Sequence, residues 1–348
     1  MTRAQMNRTV AEAIVRRSFH EIQTDPKRTL RNLVDLGRET AGGQLQKKFL
    51  GMAQQVLKQE DSPYYTLIQN TIQSVDEERL MTFGMNLGWN SLTQGAKQIR
   101  AEEARRGYNI PWSLTLHLET GKNSLSSGDY LRMILEGMEL GIYSYFLFAR
   151  DSASVQLATE LARANRGCAF CLLLPAECGE KCGEMCSKSG FPPNMILGVD
   201  GCAAGWEEQV RLLREARYPY LIYRTYATQE DVDEIVSGRW AEQIMPLAGV
   251  AALLVAEGDV DSEEDSPVYA YALGARLGQR YPTLLLDFYR DSLYTDVCTS
   301  GDPCFLGVLP DGTVTEYRNG REAPTGYSVR AKPLTELLGN LPRLSQGA

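Results

Sequence analysis

The segment from Gly107 to Arg150 has the pattern of one β-α-β unit, and it constrains the fold more than any other part of the chain. Polar and apolar residues alternate from Ser113 to Leu118, which is the period of a strand. A capping box of Ser126 and Asp129 then opens an amphipathic helix, and a glycine ends it. A second apolar strand, Ile142 to Phe148, follows at once. Two strands joined by one helix predict a parallel pair with a right-handed crossover.

The same alternation continues through the middle of the chain. Four further strands are predicted at Ala169 to Leu174, Met195 to Val199, Tyr220 to Thr225 and Val250 to Val255. Six parallel strands with helical crossovers predict an α/β fold, a partial (β/α)6 barrel of the TIM-like kind. Residues 1–106 carry only helical patterns. We therefore predict a helical N-terminal subdomain over 1–106, the partial barrel over 107–290, and a small C-terminal extension over 291–348 with a hairpin at Pro310-Asp311-Gly312.

In these segments the chain resembles the radical S-adenosylmethionine enzymes, in particular bacterial members with a helical N-terminal region. The resemblance rests on the order and spacing of several short matches: Asn109-Ile110-Pro111-Trp112 before the first strand, Glu136 to Gly141 at the end of the first helix, Gly198-Val199-Asp200-Gly201, Val297 to Gly301, and Leu309 to Val314. It implies a partial barrel of the radical S-adenosylmethionine type. It also implies where an iron–sulfur cluster and S-adenosylmethionine would lie.

The chain departs from that family at both halves of the cofactor site. Family members have CxxxCxxC after the first strand, because three thiolates hold a [4Fe-4S] cluster that leaves one iron open. Here five residues, Glu119 to Asn123, are predicted to separate strand from helix, and none is cysteine. The family's Gly-Gly-Glu-Pro turn after the second strand is replaced by Ala149-Arg150-Asp151-Ser152. The chain is therefore identified as a degenerate member, without radical chemistry and without S-adenosylmethionine as a cofactor.

Composition excludes several classes of partner. The formal charge of −8 disfavours nucleic acid and anionic membranes. The longest apolar stretch, Ala248 to Ala256, is too short to cross a bilayer, and no signal-peptide pattern opens the chain. The predicted location is the cytoplasm of a bacterium. Eight cysteines in a reducing compartment are expected as thiols or metal ligands, since disulfides are rare there.

The main candidate for a metal site is a group of cysteines after the third strand. Cys178, Cys182 and Cys186 are four residues apart, so on a helix they would share one face. Cys202 follows the next strand and would reach the same rim of the barrel. Four soft ligands can hold zinc or an iron–sulfur cluster. The alternative is that all four are thiols without a function.

Other candidates lie at the ends of strands. His117 ends the first strand and could face Glu119 and Asp151, an arrangement suited to general acid or base catalysis. Arg150 and Arg224 could bind an anionic ligand at the rim. Each of these residues has a purely structural alternative. The catalytic residues therefore remain unknown from the sequence.

Three hypotheses follow for function. The first is a pseudoenzyme or scaffold with a radical S-adenosylmethionine-like barrel, which binds a small molecule, a peptide or a partner protein. The second is a metalloprotein or enzyme that uses a relocated cysteine-ligated zinc or iron–sulfur site. The third is retained S-adenosylmethionine binding for a non-radical transfer. Function belongs to the site and not to the fold, so these hypotheses differ only in what the rim of the barrel holds.

Overall fold

A computed structural model of the chain describes residues 3–22, 24–40, 44–178, 190–258, 260, 265–318 and 320–341. The first part is helical: α1 (Arg3–Ile22), α2 (Pro26–Thr40), α3 (Gln44–Val56), α4 (Pro63–Ser74), α5 (Glu77–Met85), a π-helix (Asn86–Gly95) and α6 (Ala96–Arg106). Ile22, Leu30, Leu57 and Tyr65 form a small core of their own among the first four helices. This region therefore has an apolar centre separate from that of the sheet.

Ten strands form one sheet. They are β1 (Ser113–Leu118), β2 (Ser144–Ala149), β3 (Ala169–Leu173), β4 (Met195–Asp200), β5 (Tyr220–Tyr226), β6 (Ala251–Ala256), β7 (Leu284–Asp287), β8 (Gly307–Val308), β9 (Thr313–Arg318) and β10 (Arg321–Ser328). Their order is β10-β9-β8-β1-β2-β3-β4-β5-β6-β7, and β1 to β7 are parallel. The sheet curls into a half-barrel, so the predicted partial α/β barrel is confirmed.

Helices connect the parallel strands. They are α7 (Ser127–Leu140), α8 (Ser152–Ala164), α9 (Trp206–Glu215), α10 (Gln229–Val236), α11 (Arg239–Ile244), α12 (Pro267–Leu277), α13 (Phe288–Thr299) and, near the C-terminus, α14 (Leu334–Asn340). The predicted capping box of Ser126 and Asp129 is present, and Gly141 ends α7 in the left-handed conformation. The crossover from β5 to β6 contains two helices, α10 and α11, because Gly238 adopts a positive φ between them.

Two differences from the sequence prediction affect the site. The sheet has a seventh parallel strand, β7, one more than the six predicted, and α13 follows it directly. The loop after β1 spans residues 119–126, because α7 begins only at Ser127. The prediction of a five-residue loop was therefore wrong. The lack of cysteine in this loop does hold, since that is a property of the sequence.

The π-helix docks the N-terminal helices on the barrel. Asn86 is 1% exposed, and its side-chain amide donates to the carbonyl oxygens of Arg166 and Cys168 at 2.7 and 2.9 Å. A turn later the Asn90 amide donates to the Gly167 carbonyl at 2.8 Å. A π-helical register is rare and needs compensation, which these bonds to the turn before β3 supply.

No helix within the described ranges is long and apolar enough to span a bilayer.

Candidate functional site

The two faces of the sheet bury different groups. Successive side chains of a strand point to opposite faces. The Tyr145 hydroxyl donates to the Ile134 carbonyl of α7 at 3.0 Å, so Tyr145 faces the outer helices and its neighbours Phe146 and Phe148 face the concave side. His117 stacks on Phe148 with ring centroids 4.9 Å apart. His117 therefore lies on the concave face, near the end of β1, as its position in the sequence predicted.

Packed aromatic rings occupy much of the concave face. Phe288, at the start of α13, contacts Phe146 and Phe148 edge-on at 5.0 and 5.4 Å between centroids. Tyr289 packs against Phe305 at 5.2 Å and stacks on Tyr317 at 4.9 Å. Offset and edge-on ring pairs each stabilise a core by about 0.5–1.5 kcal/mol beyond burial alone. Together these rings form a packed apolar core over the part of the concave face that they cover.

The partner of His117 comes from the C-terminal hairpin. Its Nε2 lies 3.0 Å from Glu322 Oε2 and 3.2 Å from Oε1. The Thr315 hydroxyl also donates to Glu322 Oε1, and the Tyr289 hydroxyl donates to Oε2 at 3.4 Å. The side chain of Glu322 is only 10% exposed. We call these four residues, His117, Tyr289, Thr315 and Glu322, the His117 network.

A glycine makes room for this network. A Cβ atom built at Gly307 of β8 would overlap Glu322 Oε1 and Thr315 Oγ1. Only a residue without a side chain lets the carboxylate come this close to the β8 backbone. Gly307 therefore fixes where the carboxylate of Glu322 sits, although it forms none of the hydrogen bonds itself.

Carboxylates lie on the concave face near the carboxyl ends of the strands. Desolvation and the nearby Asp200 raise the pKa of Glu257, while His117 opposes that rise. Burial, Asp200 and Glu257 together raise the pKa of the Tyr223 phenol, whose hydroxyl donates to the Leu174 carbonyl at 2.9 Å. His117 and Asp200, near the ends of β1 and β4, thus both lie close enough to Glu257, which follows β6, to affect its pKa. This arrangement can hold or transfer a proton.

The other predicted acid–base candidates have structural partners. Asp151 caps α8, where its carboxylate accepts from the Ser154 amide at 2.8 Å, and this bond, against the opposing effect of desolvation, lowers its pKa. Glu119 and Arg150 form a 3.4 Å ion pair at the exposed rim. No hydrogen bond or ion pair between described residues joins His117 to Glu119 or Asp151. The structure instead pairs His117 with Glu322 of β10, so a joint acid–base role for His117, Glu119 and Asp151 stays a prediction.

The cysteine candidates are only partly described. Cys182 and Cys186 lie outside the described residues. Cys178 is buried, with its Sγ 3.7 Å from Ser152 Oγ, whereas Cys202 is exposed. Both act electrostatically on Tyr223, so they lie on the same part of the rim. Within the described ranges no three His, Cys, Asp or Glu residues come together as a metal site.

Two other cysteines belong to the core. Cys168 and Cys171 are buried at and just before β3, and burial raises the pKa of each thiol to about 12. A thiol that stays protonated does not bind a metal. These two thiols therefore serve packing in the core.

The family's cluster does not fit the residues after β1. The loop over 119–126 supplies no sulfur, so three thiolate ligands cannot come from it. The loop is tied instead to the C-terminal extension. The Leu125 amide donates to the Pro310 carbonyl at 2.7 Å, and Arg330 donates to the Asn123 carbonyl at 2.9 Å.

Sequence reasoning missed most of the His117 network. Glu322, Thr315 and Tyr289 carry no local signal, because Glu322 and Thr315 lie on β10 and β9, which join β1 only through β8, and Tyr289 lies in α13. Asp200 and Glu257 had a usable signal. Both are acids at the carboxyl ends of parallel strands, where side chains of neighbouring strands converge.

Comparison with known proteins adds little. No protein-family model matches the chain, and no curated protein matches it. Among solved structures it is similar to SuiB of Streptococcus suis bound to S-adenosylmethionine, with a TM-score of 0.43 and 10% identity over 72% of this chain and 71% of that one. SuiB bound to its precursor peptide SuiA gives a TM-score of 0.43 and 11% identity over 72% and 70%. Similarity of this extent establishes neither a family nor a function for this chain.

Proposed function

We propose that this protein is a radical S-adenosylmethionine-like half-barrel without the family's cluster, and that it acts by binding a small molecule, a peptide or a partner protein. The observation that carries the proposal is the loop over 119–126. In the family this loop holds the cluster, whereas here it has no cysteine and is fixed by the bond from the Leu125 amide to the Pro310 carbonyl and by the Arg330 side chain, which donates to the Asn123 carbonyl. A loop with this role needs no cluster to define its shape.

The filled concave face supports the same proposal. A catalytic barrel keeps space for a substrate beside its reactive centre. In this chain the packed rings of Phe288, Phe305 and Tyr317 fill space on the concave face that would otherwise be open. Glu322 Oε2 lies 3.0 Å from His117 Nε2, so the imidazole already has a partner within the protein. Binding at the rim therefore fits these residues better than radical chemistry inside the barrel.

The test is the metal and sulfide content of protein purified without oxygen, together with its ultraviolet–visible spectrum. We expect a colourless, folded protein with neither iron and sulfide nor zinc in stoichiometric amount. Cys182→Ser tests the relocated site, and Cys171→Ala is the matched control, because Cys171 is a buried core thiol outside the predicted ligand set.

Two results would overturn the proposal. Stoichiometric metal that is lost in Cys182→Ser but kept in Cys171→Ala would establish the relocated metal site instead. Calorimetric binding of S-adenosylmethionine by the metal-free protein would favour the non-radical transfer. A metal-free protein that does not bind S-adenosylmethionine supports a binding role.

A further inference from the structure

A lysine, a tyrosine and a cysteine meet where the helical N-terminal region packs on the barrel. Lys48 lies in α3, and Tyr294 and Cys298 lie in α13, which packs against α3. The Lys48 Nζ atom lies 3.8 Å from Cys298 Sγ, although 250 positions separate the two residues in the chain. A covalent bond between these two side chains would therefore join the two parts of the molecule.

Tyr294 holds the sulfur and the amine together. Tyr294 and Cys298 are four residues apart, so their side chains share one face of α13. A hydrogen bond joins them, and this bond, with a further contribution from burial, raises the pKa of the Tyr294 phenol. The Lys48 Nζ atom also lies 6.0 Å from the centre of the Tyr294 ring, which is a cation–π distance. Lys48 is therefore held beside the sulfur by contacts to both residues of α13.

The sulfur is covered by side chains that are themselves at the surface. Cys298 is 3% exposed, whereas Tyr294 is 45% exposed and Lys48 is exposed as well. Exposed side chains change rotamer on the picosecond to nanosecond timescale. Movement of Lys48 therefore opens the sulfur to a solute as small as hydrogen peroxide, while a protein or a large coenzyme remains excluded.

The ammonium group of Lys48 favours oxidation at this sulfur. The thiolate is the form of cysteine that attacks a peroxide. Lys48 places a positive charge beside the sulfur, where it offsets the negative charge of the thiolate. Within the described part of the chain, no carboxylate forms an ion pair with Lys48. The amine is therefore not held away from the sulfur by a competing charge.

We infer that hydrogen peroxide links Cys298 to Lys48 through a reversible sulfur–nitrogen bond, which fastens the helical N-terminal region to the barrel. In the first step the Cys298 thiolate attacks one oxygen atom of the peroxide. The O–O bond breaks, and the leaving hydroxide takes the thiol proton and becomes water. The sulfur is now a sulfenic acid, oxidised by two electrons, and the peroxide has been reduced by two.

The second step closes the link without further oxidation. The Lys48 ammonium releases one proton to water, and the resulting amine attacks the sulfenic sulfur. An S–N bond forms, the S–O bond breaks, and the leaving hydroxide takes a proton from the nitrogen and becomes water. Thiol, amine and peroxide thus give one sulfenamide and two water molecules.

A dithiol reverses the link. One thiolate of dithiothreitol attacks the Cys298 sulfur, the S–N bond breaks, and the Lys48 amine leaves and takes up a proton. The second thiol of the reagent then displaces Cys298 as the disulfide of dithiothreitol closes. The link is therefore expected under peroxide stress and absent in a reducing solution.

Peptide mapping by mass spectrometry, on the full chain treated with hydrogen peroxide, tests the inference. We expect a crosslinked pair of peptides that contain Lys48 and Cys298, from a protein about 2 Da lighter than its reduced form. The midpoint of thermal unfolding should rise by at least about 5 °C, because the link closes a loop of 250 residues in the unfolded chain. Dithiothreitol should reverse both changes.

Three variants locate the link, each verified as folded by circular dichroism before oxidation. Lys48→Arg keeps the charge at an exposed position but replaces the amine with a guanidinium group, so it should abolish the link and the thermal shift. Lys47→Arg is the matched control, because Lys47 is the neighbouring exposed lysine and makes neither contact. Cys304→Ala should keep the link, since a second thiol has no part in it.

Several results would overturn the inference. A disulfide between Cys298 and Cys304 would mean that a thiol captures the oxidised sulfur. A link that persists in Lys48→Arg, or that is lost in Lys47→Arg, would remove the role of the Lys48 amine. Cys298 that stays reduced, or that only gains oxygen, would mean that no link forms.

Two further results separate the chemistry from its consequence. A linked product about 14 Da heavier than the reduced protein would retain a peroxide oxygen and would refute the condensation step. A link that leaves the unfolding midpoint unchanged would refute the fastening of the N-terminal region. The inference goes beyond the proposed binding role, and the metal analysis tests that role separately, so either can fail alone.

Discussion

Gly307→Ala should destabilise the protein through two identifiable clashes. The new methyl group would overlap the carboxylate of Glu322 and the hydroxyl of Thr315, so these side chains must either move or be overpacked. If the carboxylate leaves, its bonds to His117 and Thr315 break, and hydrogen bonds to a charged group contribute about 1.5–3 kcal/mol. If both side chains stay, overpacking costs about 1–3 kcal/mol. Either route lowers the free energy of unfolding by about 1–3 kcal/mol.

The assay is urea denaturation followed by circular dichroism, on wild type and three variants. Gly307→Ala and Glu322→Ala should each lower the free energy of unfolding. The double variant should lose less stability than the sum of the two single losses, because the clash with Glu322 is gone and only that with Thr315 remains, so the two effects are not additive. Gly274→Ala is the matched control. No atom lies near its Cβ position inside α12, and alanine there should stabilise by about 0.5–1 kcal/mol.

The reasoning is refuted by additive effects in the double variant, which would mean that the methyl group acts on something other than Glu322. It is also refuted if Gly307→Ala is as stable as wild type. A loss of stability in Gly274→Ala equal to that in Gly307→Ala would point to a general effect of alanine on the backbone.

Three further predictions test other parts of the structure. Cys202 is exposed and should react with a chromogenic thiol reagent in the folded protein. Cys171 is buried and its thiol pKa is raised to about 12, so it should react only after unfolding. Comparable reaction rates of the two thiols in the folded protein would contradict this prediction. Burial raises the pKa of Asp296 well above its usual 3.8. The protonated carboxyl group therefore stabilises the folded protein at low pH, and this stabilisation is lost as the pH rises above 3.8. Asp296→Asn should therefore gain stability relative to wild type between about pH 5 and about pH 8, measured by urea denaturation, and a constant difference would refute the shift. Asn86→Ala should lower the free energy of unfolding by about 2–4 kcal/mol, because two carbonyl groups before β3 lose their donor. Asn70 is exposed, so Asn70→Ala should change thermal stability little. Similar effects of the two substitutions would argue against the docking role of the π-helix.

Local signals predicted the regular part of the fold. The Ser126–Asp129 capping box and the Gly141 stop lie where the sequence put them, because both devices depend on neighbours within one turn of helix. The start of α7 was set too early because Leu125 has the right spacing for the helix face. Leu125 is in fact buried one position before the N-cap and lies outside the helix. Together with the buried Tyr130 it occupies the two positions of a hydrophobic staple.

The site was harder to predict because its residues meet only through long-range pairing. His117 and Glu322 come from β1 and β10, and nothing near either residue indicates the other. The same holds for the π-helix. Its sequence predicts an ordinary helix, and the altered register depends on carbonyl groups of a turn that follows much later. Arg224 was predicted to bind an anionic ligand at the rim, and its two carboxylate partners in α10 could not be foreseen from the residues around it.

The pairing of β8 with β1 has a consequence for the protein while it is being synthesised. Thr115 pairs with Gly307, so β1 has an unpaired edge until the last part of the chain has left the ribosome. Ribosomes add about 5–20 residues per second, so this edge waits for roughly ten to forty seconds. An apolar strand with a free edge is a template for pairing with another chain. During that interval, folding of the nascent protein competes with association between neighbouring nascent chains on the same messenger RNA.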